Sequence, residues 1–371
     1  MKLENYLIEV IEGKRSGLLA KLIIVILALG AYLYRAIIVL RTKLYDIGLK
    51  KSKKLQAKVI SVGNITVGGT GKTPVVELLS RRLIKDGYKV LILNRGYKGG
   101  FSGQVGLVSN EKQIFMSAKE AGDEPYMMAK SLPGIPIIVG PNRLQTGQYA
   151  IDNFDPDFII LDDGFQHLQV KRDYDIVVID ATNPFDNEYL LPRGKLREPL
   201  VNLKRAHLFL LTKVDQVNEN KLKEISKRLV GFNPAAPIIK TKHRPDYLRF
   251  LGETKRKDID LKEESVFAFS GIGNPKSFEK TLESLGATVV GKLRFEDHHS
   301  YTKEEVIEIF TLASHSGAER IITTEKDAVS IDKELVDEII QEKIPLEVLG
   351  IRVELLDDNY KFEELISRLE V

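Results

Sequence analysis

The chain has 371 residues, 43% of them hydrophobic and 29% charged, which is typical of a globular protein with two domains. It contains no cysteine, so disulfides, thiolate catalysis and cysteine-ligated metal sites are excluded. The net charge of +3 is unevenly distributed: residues 1–58 hold 12 Lys and Arg against 4 Asp and Glu, so this segment carries +8 and the remainder −5. We therefore expect no nucleic-acid partner for the folded body and an anionic membrane surface as a partner for the N-terminus.

An apolar segment lies near the N-terminus. Residues Leu22 to Tyr34 are 13 uninterrupted apolar or small residues between Lys21 and Arg35. A bilayer span needs about 20 such residues, and no small-residue cleavage site of a signal peptide follows. The pattern favours a helix in the membrane interface, with basic side chains reaching the headgroups. A true span and a buried core helix are the alternatives, and both membrane interpretations leave the rest of the chain in the cytoplasm.

A phosphate-binding loop is predicted at Thr66–Thr73, which reads TVGGTGKT. It follows the apolar run Lys58–Val62 and precedes the helical pattern Val75–Leu83. This order of strand, glycine loop and helix is what a P-loop requires. The chain is therefore expected to bind a nucleoside triphosphate; a glycine-rich turn without nucleotide is the alternative.

The chemistry of this loop depends on its backbone N–H groups, which face phosphate oxygens together with the helix N-terminus. Lys72 supplies a positive charge and Thr73 a hydroxyl for Mg²⁺. Thr66 stands where the usual pattern has glycine, and the Gly68–Gly69 pair is expected to supply the backbone freedom instead. The residues predicted to bind the nucleotide are Thr66, Gly68, Gly69, Thr70, Gly71, Lys72 and Thr73.

Beyond the loop, short apolar runs alternate with helical patterns, as in doubly wound α/β proteins. The predicted strands are Lys89–Asn94, Ile135–Val139, Phe158–Leu161, Ile176–Ile179 and Leu208–Leu211. We expect a P-loop NTPase-like, doubly wound, mostly parallel sheet in which ligands gather beyond the carboxyl ends of the strands.

Gly122-Asp123-Glu124-Pro125 precedes a helical run, and it gives Asp123 two possible roles. One is an N-cap that stabilises the helix start. The other is a general base at a ligand-facing helix end, able to take a proton from an attacking hydroxyl. Composition does not decide between them.

Two carboxylates, Asp162 and Asp163, follow the apolar strand Phe158–Leu161 directly. This is where a P-loop enzyme places the acid that reaches Mg²⁺, either directly or through water. An Asx turn that closes the strand is the alternative for one of the pair. His167 follows in Gly164-Phe165-Gln166-His167, where a packed or capping histidine is the simpler interpretation.

Phosphoryl transfer spreads negative charge over the phosphate oxygens, so cationic side chains are expected nearby. The candidates are Arg95, Arg143 and the basic segment Leu191–Pro199, which includes Arg197. For Arg95 and Arg143 a surface charge is the expected alternative.

After Lys213 charged residues become frequent, and we interpret the polar stretch 240–264 as a linker. Three parts are expected: a membrane-associating helical segment at 1–57, a P-loop core at 58–239 and a smaller α/β domain at 240–371. In this C-terminal domain, a strand enters a glycine-rich turn at Val266–Pro275.

Asp297-His298-His299 lies just before the capping box Thr302-x-x-Glu305. This histidine pair fits either a polar loop or a base partner that faces a cleft between domains.

Taken in order, these motifs resemble one family, the tetraacyldisaccharide 4′-kinases of lipid A biosynthesis, and the resemblance covers nearly the whole chain. The segments that carry it are Gly63–Pro74, Arg95–Tyr97, Gly122–Pro125, Gly140–Arg143, Leu161–His167, Leu196–Pro199, Ser270–Pro275 and Asp297–His299. Each is a weak signal alone, whereas the ordered set is specific. Thr66, unusual in a general P-loop, is typical of this family's loop.

The resemblance implies a membrane-associated kinase at the cytoplasmic face of the bacterial inner membrane. Such an enzyme uses ATP and Mg²⁺ to phosphorylate the 4′-hydroxyl of a lipid A disaccharide 1-phosphate in the membrane, which yields lipid IVA. The resemblance also implies roles for single residues. Thr73, Asp162 and Asp163 bind the metal, and Arg197 stabilises charge. Asp123 is the catalytic carboxylate and pairs with a histidine of Asp-His-His, for which we favour His298 over His299.

A membrane-cycling GTPase or ATPase switch is the alternative function. It shares the glycine loop and the apolar helix, and Thr212-Lys213-Val214-Asp215 resembles the guanine-reading signature of GTPases. It accounts for neither Gly-Asp-Glu-Pro nor Asp-His-His. Nucleotide preference separates the two, because a kinase uses ATP and needs a lipid acceptor, whereas a switch prefers GTP and hydrolyses it without one.

Overall fold

A computed structural model describes residues 3–11, 13–297, 299–331, 344–356, 362–364 and 366–367. Within these residues twelve strands form one sheet, in the order β10-β9-β11-β12-β8-β7-β6-β1-β5-β2-β4-β3. The strands are β1 Lys58–Gly63, β2 Val90–Asn94, β3 Gly106–Ser109, β4 Ile137–Val139, β5 Phe158–Asp162, β6 Tyr174–Asp180, β7 Leu208–Thr212, β8 Ile238–Phe250, β9 Ser265–Ser270, β10 Thr288–Arg294, β11 Arg320–Thr324 and β12 Leu346–Leu356.

Helices cover both faces of this sheet. They are α1 Leu3–Ile11, α2 Leu18–Asp46, α3 Lys72–Lys85, α4 Ala118–Ala121, α5 Asp123–Ser131, α6 Arg143–Phe154, α7 Glu219–Phe232, α8 Pro275–Ser284, α9 Lys303–His315 and α10 Glu325–Ser330, with short 3₁₀ helices at Leu200–Arg205 and Val214–Gln216. The five strands predicted beyond the glycine loop are all present. The doubly wound, mostly parallel α/β fold is confirmed, since β3 with β4 and β8 with β12 are the antiparallel pairs in the described sheet.

The central strand β1 shows why this part of the chain folds as it does. Its side chains alternate between the two faces: Ile60 and Val62 pack into the cluster that contains Leu79 of α3. Val59 points to the other face, into the cluster that contains Leu91. All five side chains are fully buried, as expected for a parallel strand covered on both sides. The loop between β1 and α3 is thereby held at the carboxyl edge of the sheet.

The prediction of a linker over 240–264 is wrong for its first part, because Ile238–Phe250 forms the long strand β8. β8 pairs in parallel with β7 and, over most of its length, in antiparallel fashion with β12. The stretch was predicted as a linker because its sequence is polar, and it is polar because much of this strand is not buried. Lys240, for example, is exposed, whereas Thr241 is fully buried. The two strands β8 and β12 connect the P-loop core to the strands β9 to β11 without a break in the sheet.

The apolar segment forms part of α2, a helix of 29 residues that is long and apolar enough to cross a membrane. Along one face Ala31, Ile38 and Thr42 are buried, at the spacing of successive helical turns. The opposite face is exposed and apolar; its large residues are Leu18, Leu19, Leu22, Val25, Ile26, Leu29, Tyr32, Leu33, Ile37 and Leu40. The helix is therefore not a buried core helix: one face contacts the protein, and the other is apolar and uncovered.

Candidate active site

The glycine loop lies at the carboxyl end of β1 and at the N-terminus of α3, as the sequence predicts. Gly71 is the N-cap of α3 and has a φ of 88°, and Gly68 has a φ of 113°, so both occupy backbone conformations that favour glycine. Thr66 pairs with Leu196 as an isolated antiparallel bridge. The residue that replaces the usual glycine is thus part of a short ladder that joins the loop to the Leu196–Pro199 turn.

Lys72, Asp163 and Arg197 form a chain of charges at this loop. Arg197 Nη1 donates to Asp163 Oδ2 over 2.6 Å, and Lys72 Nζ lies 3.7 Å from Asp163 Oδ1. Burial raises the pKa of Asp163, but the two cations lower it by more, and it lies well below its usual range. Asp163 has a φ of 57°, a conformation that aspartate tolerates. The structure therefore brings three of the predicted site residues together.

Asp162 is in a different environment from its neighbour. It is 1% exposed, its Oδ2 accepts from Asn94 Nδ2 over 2.8 Å, and its Oδ1 is buried without a hydrogen-bond partner. Burial and the nearby Glu124 carboxylate raise the pKa of Asp162 to about 7, against the opposing charge of Lys72. An unsatisfied buried carboxylate oxygen is costly, so this atom is suited to receive a further ligand.

A buried cation lies next to these carboxylates. Arg143, for which a surface position was the expected alternative, is 1% exposed and donates from Nη1 to the Gly140 carbonyl over 2.6 Å, while its Nε and Nη2 have no hydrogen-bond partner. Burial lowers the pKa of Arg143 to about 10, with Asp162 and Asp163 opposing the shift, so it remains charged at neutral pH. Burial and Arg143 lower the pKa of His167 to about 4, which keeps that imidazole neutral.

Asp123 is the first residue of α5, and the N-cap is Gly122, which makes no side-chain cap hydrogen bond. The interpretation of Asp123 as an N-cap is therefore wrong. A Cβ added at Gly122 would lie 2.7 Å from the Tyr97 carbonyl oxygen, so the segment after β2 passes directly beside the start of α5. A side chain other than glycine would push these two segments apart.

The Asp-His-His segment approaches the same place. Lys98 Nζ, one residue after Tyr97, donates to the Asp297 carbonyl over 3.2 Å, and the Asp297 carboxylate pairs with Lys326. His299 is engaged elsewhere: its Nε2 lies 2.9 Å from Glu305 Oε2, and its ring stacks on Phe295. His298, the histidine predicted to act with Asp123, lies outside the described residues.

The glycine-rich turn after β9 contacts the P-loop directly. A Cβ added at Gly273 would lie 2.3 Å from the Gly69 nitrogen. Asn274 Nδ2 donates to Thr182 Oγ1 over 2.9 Å and lies 3.3 Å from Asp180 Oδ2, which itself pairs with Lys213 at 2.5 Å. The C-terminal part of the chain thus lies against the phosphate-binding loop.

The motif Thr212–Asp215 also lies beside the P-loop. Thr212 Oγ1 donates to the Thr70 carbonyl over 2.9 Å, and Lys213 Nζ lies 3.5 Å from the Gly69 carbonyl oxygen. His243 of β8 faces the same loop, since a Cβ added at Gly71 would lie 2.8 Å from its Nε2. Burial and Lys213 lower the pKa of His243 to about 4, although Asp180 opposes the shift.

Several of these neighbours were missed by reasoning from sequence. Asn94 ends β2 and bonds Asp162, and a polar residue at a strand end is a signal that could have identified it. Glu124 was recognised as part of Gly122–Pro125, but its effect on the pKa of Asp162 was not predicted. His243 gave no signal, because its stretch had been interpreted as a linker.

Comparison with known proteins identifies the family of this chain. Residues 23–370 match the family described as tetraacyldisaccharide-1-P 4′-kinase. The chain is 41% identical to a tetraacyldisaccharide 4′-kinase of Halothermothrix orenii over 95% of both chains, and 40% identical to one of Syntrophus aciditrophicus over 91% of this chain and 90% of the relative. Among solved structures, the "apo" form of LpxK from Aquifex aeolicus in complex with ATP aligns with a TM-score of 0.70 at 35% identity, over 91% of this chain and 96% of that one. The alternative of a nucleotide switch is not favoured, and the chain belongs to the tetraacyldisaccharide 4′-kinase family.

Proposed function

We propose that this protein transfers the γ-phosphate of ATP to the 4′-hydroxyl of a tetraacyldisaccharide 1-phosphate, a lipid A precursor, and so forms lipid IVA. The observation that carries the proposal is the charge chain Lys72–Asp163–Arg197 on a P-loop, beside a carboxylate, Asp162, that keeps one free oxygen. Family membership supplies the substrate class.

The glycine loop, Lys72 and Arg197 bind the phosphates. The amide groups from Gly68 to Thr73 and the N-terminus of α3 bind the phosphate oxygens, and Lys72 supplies the positive charge. Asp163 holds Lys72 and Arg197 at a fixed separation, so that Arg197 stabilises the charge that develops on the transferred phosphoryl group.

The residues at this place fit Mg²⁺, a hard cation that prefers oxygen ligands and near-octahedral geometry. The free Oδ1 of Asp162 and the hydroxyl of Thr73 are suited to hold it, and Asp163 lies close enough to take part through water. When bound, the ion neutralises charge on the β- and γ-phosphate oxygens. Asn94 orients Asp162 by its hydrogen bond to the other carboxylate oxygen.

The acceptor hydroxyl needs a base. We assign this role to Asp123, the first residue of α5, and we propose His298 as its partner. The contact of Lys98 with Asp297 supports the pairing, because it brings the segment next to His298 to the loop that passes Gly122. The engagement of His299 with Glu305 leaves the neighbouring histidine as the better candidate.

The nucleoside has a suitable cavity beside the loop. Asp215, Gln216 and His243 line a space of about 490 Å³. It adjoins Gly71 through His243, and Lys213, two residues before Asp215, has its Nζ 3.5 Å from the Gly69 carbonyl oxygen. We propose that the resemblance of Thr212–Asp215 to a base-reading signature reflects this position, with Lys213 supporting the P-loop from the nucleoside side.

We also propose that α2 holds the protein at the cytoplasmic face of the bacterial inner membrane. Gly30, Tyr34 and Arg41 contact the body, so lipid cannot surround this part of the helix. This favours partial insertion, with the exposed apolar face in lipid and the basic residues at the headgroups. ATP is cytoplasmic, so the catalytic body faces that side.

The decisive experiment is incubation of the purified protein with ATP, Mg²⁺ and tetraacyldisaccharide 1-phosphate in vesicles. Mass spectrometry of the lipid should reveal a second phosphate, and Lys72→Ala should nearly abolish its formation. A parallel reaction with GTP and no lipid tests the switch. Hydrolysis of GTP without acceptor, together with an unmodified lipid, would refute the kinase assignment.

A further inference from the structure

Two chains of hydrogen bonds connect the membrane helix α2 to the phosphate site. In the first, the Tyr34 hydroxyl donates to the Arg197 carbonyl over 2.9 Å. The Arg197 N–H donates to the Ile65 carbonyl over 2.8 Å, and its guanidinium donates to Asp163 over 2.6 Å. The backbone of Arg197 is therefore held on both sides, by α2 and by the segment between β1 and the glycine loop.

The second chain begins at Arg41, about two turns further along the helix. Arg41 Nη2 donates to the Gln166 carbonyl over 2.7 Å, and Gln166 Nε2 donates to the Asn64 carbonyl over 3.0 Å. Asn64 is fully buried and donates from Nδ2 to Thr70 Oγ1 over 3.0 Å. This chain reaches Thr70 in the middle of the glycine loop, so α2 is connected both to Arg197 and to the glycine loop.

The helix is also close to the body where these bonds are made. A Cβ added at Gly30 would lie 3.1 Å from Pro192 Cγ, in the segment that leads to Arg197. Gly30 and Ala31 thus lie one turn before Tyr34 on the face that contacts the protein. The opposite face carries Tyr32, which is 68% exposed. Tyr32 and Tyr34 are therefore two residues apart but lie on different faces of α2. The Tyr34 hydroxyl is hydrogen-bonded to the catalytic segment, whereas Tyr32 does not face that segment.

We propose that α2 is a brace for the catalytic apparatus as well as an anchor, and that Tyr34 is a positioning residue for Arg197. This inference rests on the proposed function. Loss of the Tyr34 hydroxyl leaves the ring in place but releases the Arg197 carbonyl, which lets the turn at Leu196–Pro199 shift relative to the P-loop. The Arg197 guanidinium is then less well placed to stabilise the transferred phosphoryl group, so turnover falls while ATP binding is retained.

The test compares Tyr34→Phe with Tyr32→Phe on the full-length protein in vesicles that contain the lipid acceptor. Vesicle flotation and melting temperature should be the same for both variants and for the wild type. We expect Tyr34→Phe to lower kcat about tenfold with KM for ATP unchanged, and Tyr32→Phe to match the wild type. A purely structural role would lower the melting temperature or alter flotation instead of kcat alone.

A double-mutant cycle tests the route through Arg197. If Tyr34 acts through that residue, Tyr34→Phe should have no further effect on kcat in an Arg197→Ala background. Equal kcat for the two tyrosine variants, or a full additive loss in the double mutant, would overturn the proposal. Absence of lipid phosphorylation in the wild type would instead refute the proposed function, so the two failures are distinguishable.

Discussion

The glycine-rich turn after β9 contacts the P-loop, because Gly273 lies against Gly69. From this contact we predict a large effect of Gly273→Ala on activity. The added methyl group would lie 2.3 Å from the Gly69 nitrogen and 3.1 Å from its Cα. Because an ordinary contact needs about 3.5 Å, the two loops must separate by about 1 Å. Gly273 does not have a positive φ, so alanine introduces no backbone strain, and the effect is confined to this contact. A displacement of that size at a phosphate-binding loop is expected to lower kcat/KM by about 100-fold.

The assay is steady-state phosphorylation of the lipid acceptor, with melting temperature measured on the same preparation. Gly231→Ala is the matched control, because nothing lies within 4 Å of its added Cβ and it stands inside α7. Its activity should equal that of the wild type, and its stability should rise by up to about 1 kcal/mol. If Gly273→Ala retains wild-type kcat/KM, the two loops are not in contact during turnover, and the reasoning is refuted.

Local sequence patterns predicted the elements that depend on local chemistry. The glycine loop, its flanking strand and helix, and the capping box at Thr302 each follow from a few adjacent residues, and the structure contains all of them. The pair Asp162–Asp163 was located at the correct strand end. The sequence did not reveal that one carboxylate is held by two cations and that the other keeps a free oxygen, because Arg197 and Asn94 lie far away in the chain.

The features that were not predicted have a common cause: each depends on contacts between residues far apart in the sequence. β8 was missed because a strand that is only partly buried has no continuous apolar run, and its partner β12 lies about 100 residues later. Arg143 was expected at the surface because a lone arginine usually is, whereas here the fold encloses it beside two aspartates. The bonds from α2 to the catalytic turn are likewise invisible in the sequence, where Tyr34 stands among apolar residues of one hydropathic segment.

Three further predictions concern single residues. Lys72→Ala should nearly abolish phosphorylation while lipid binding in a vesicle assay persists, because the loss is of charge at the phosphates; unchanged turnover would refute the P-loop assignment. Asp123→Asn should lower kcat by about 100-fold or more with ATP affinity close to normal, since a positioned base contributes roughly that much, and a mutant that loses stability but not activity would contradict a role as base. The last concerns acid stability. Since an unfolded histidine has a pKa near 6.5 and burial lowers that of His243 to about 4, the unfolded state takes up the proton first as pH falls. The stability associated with His243 is therefore complete above pH 6.5 and declines by about 3 kcal/mol towards pH 4. Chemical denaturation at several pH values should give a flatter profile for His243→Gln than for the wild type. Identical profiles for the two proteins would show that His243 is protonated in the folded state as readily as in the unfolded chain.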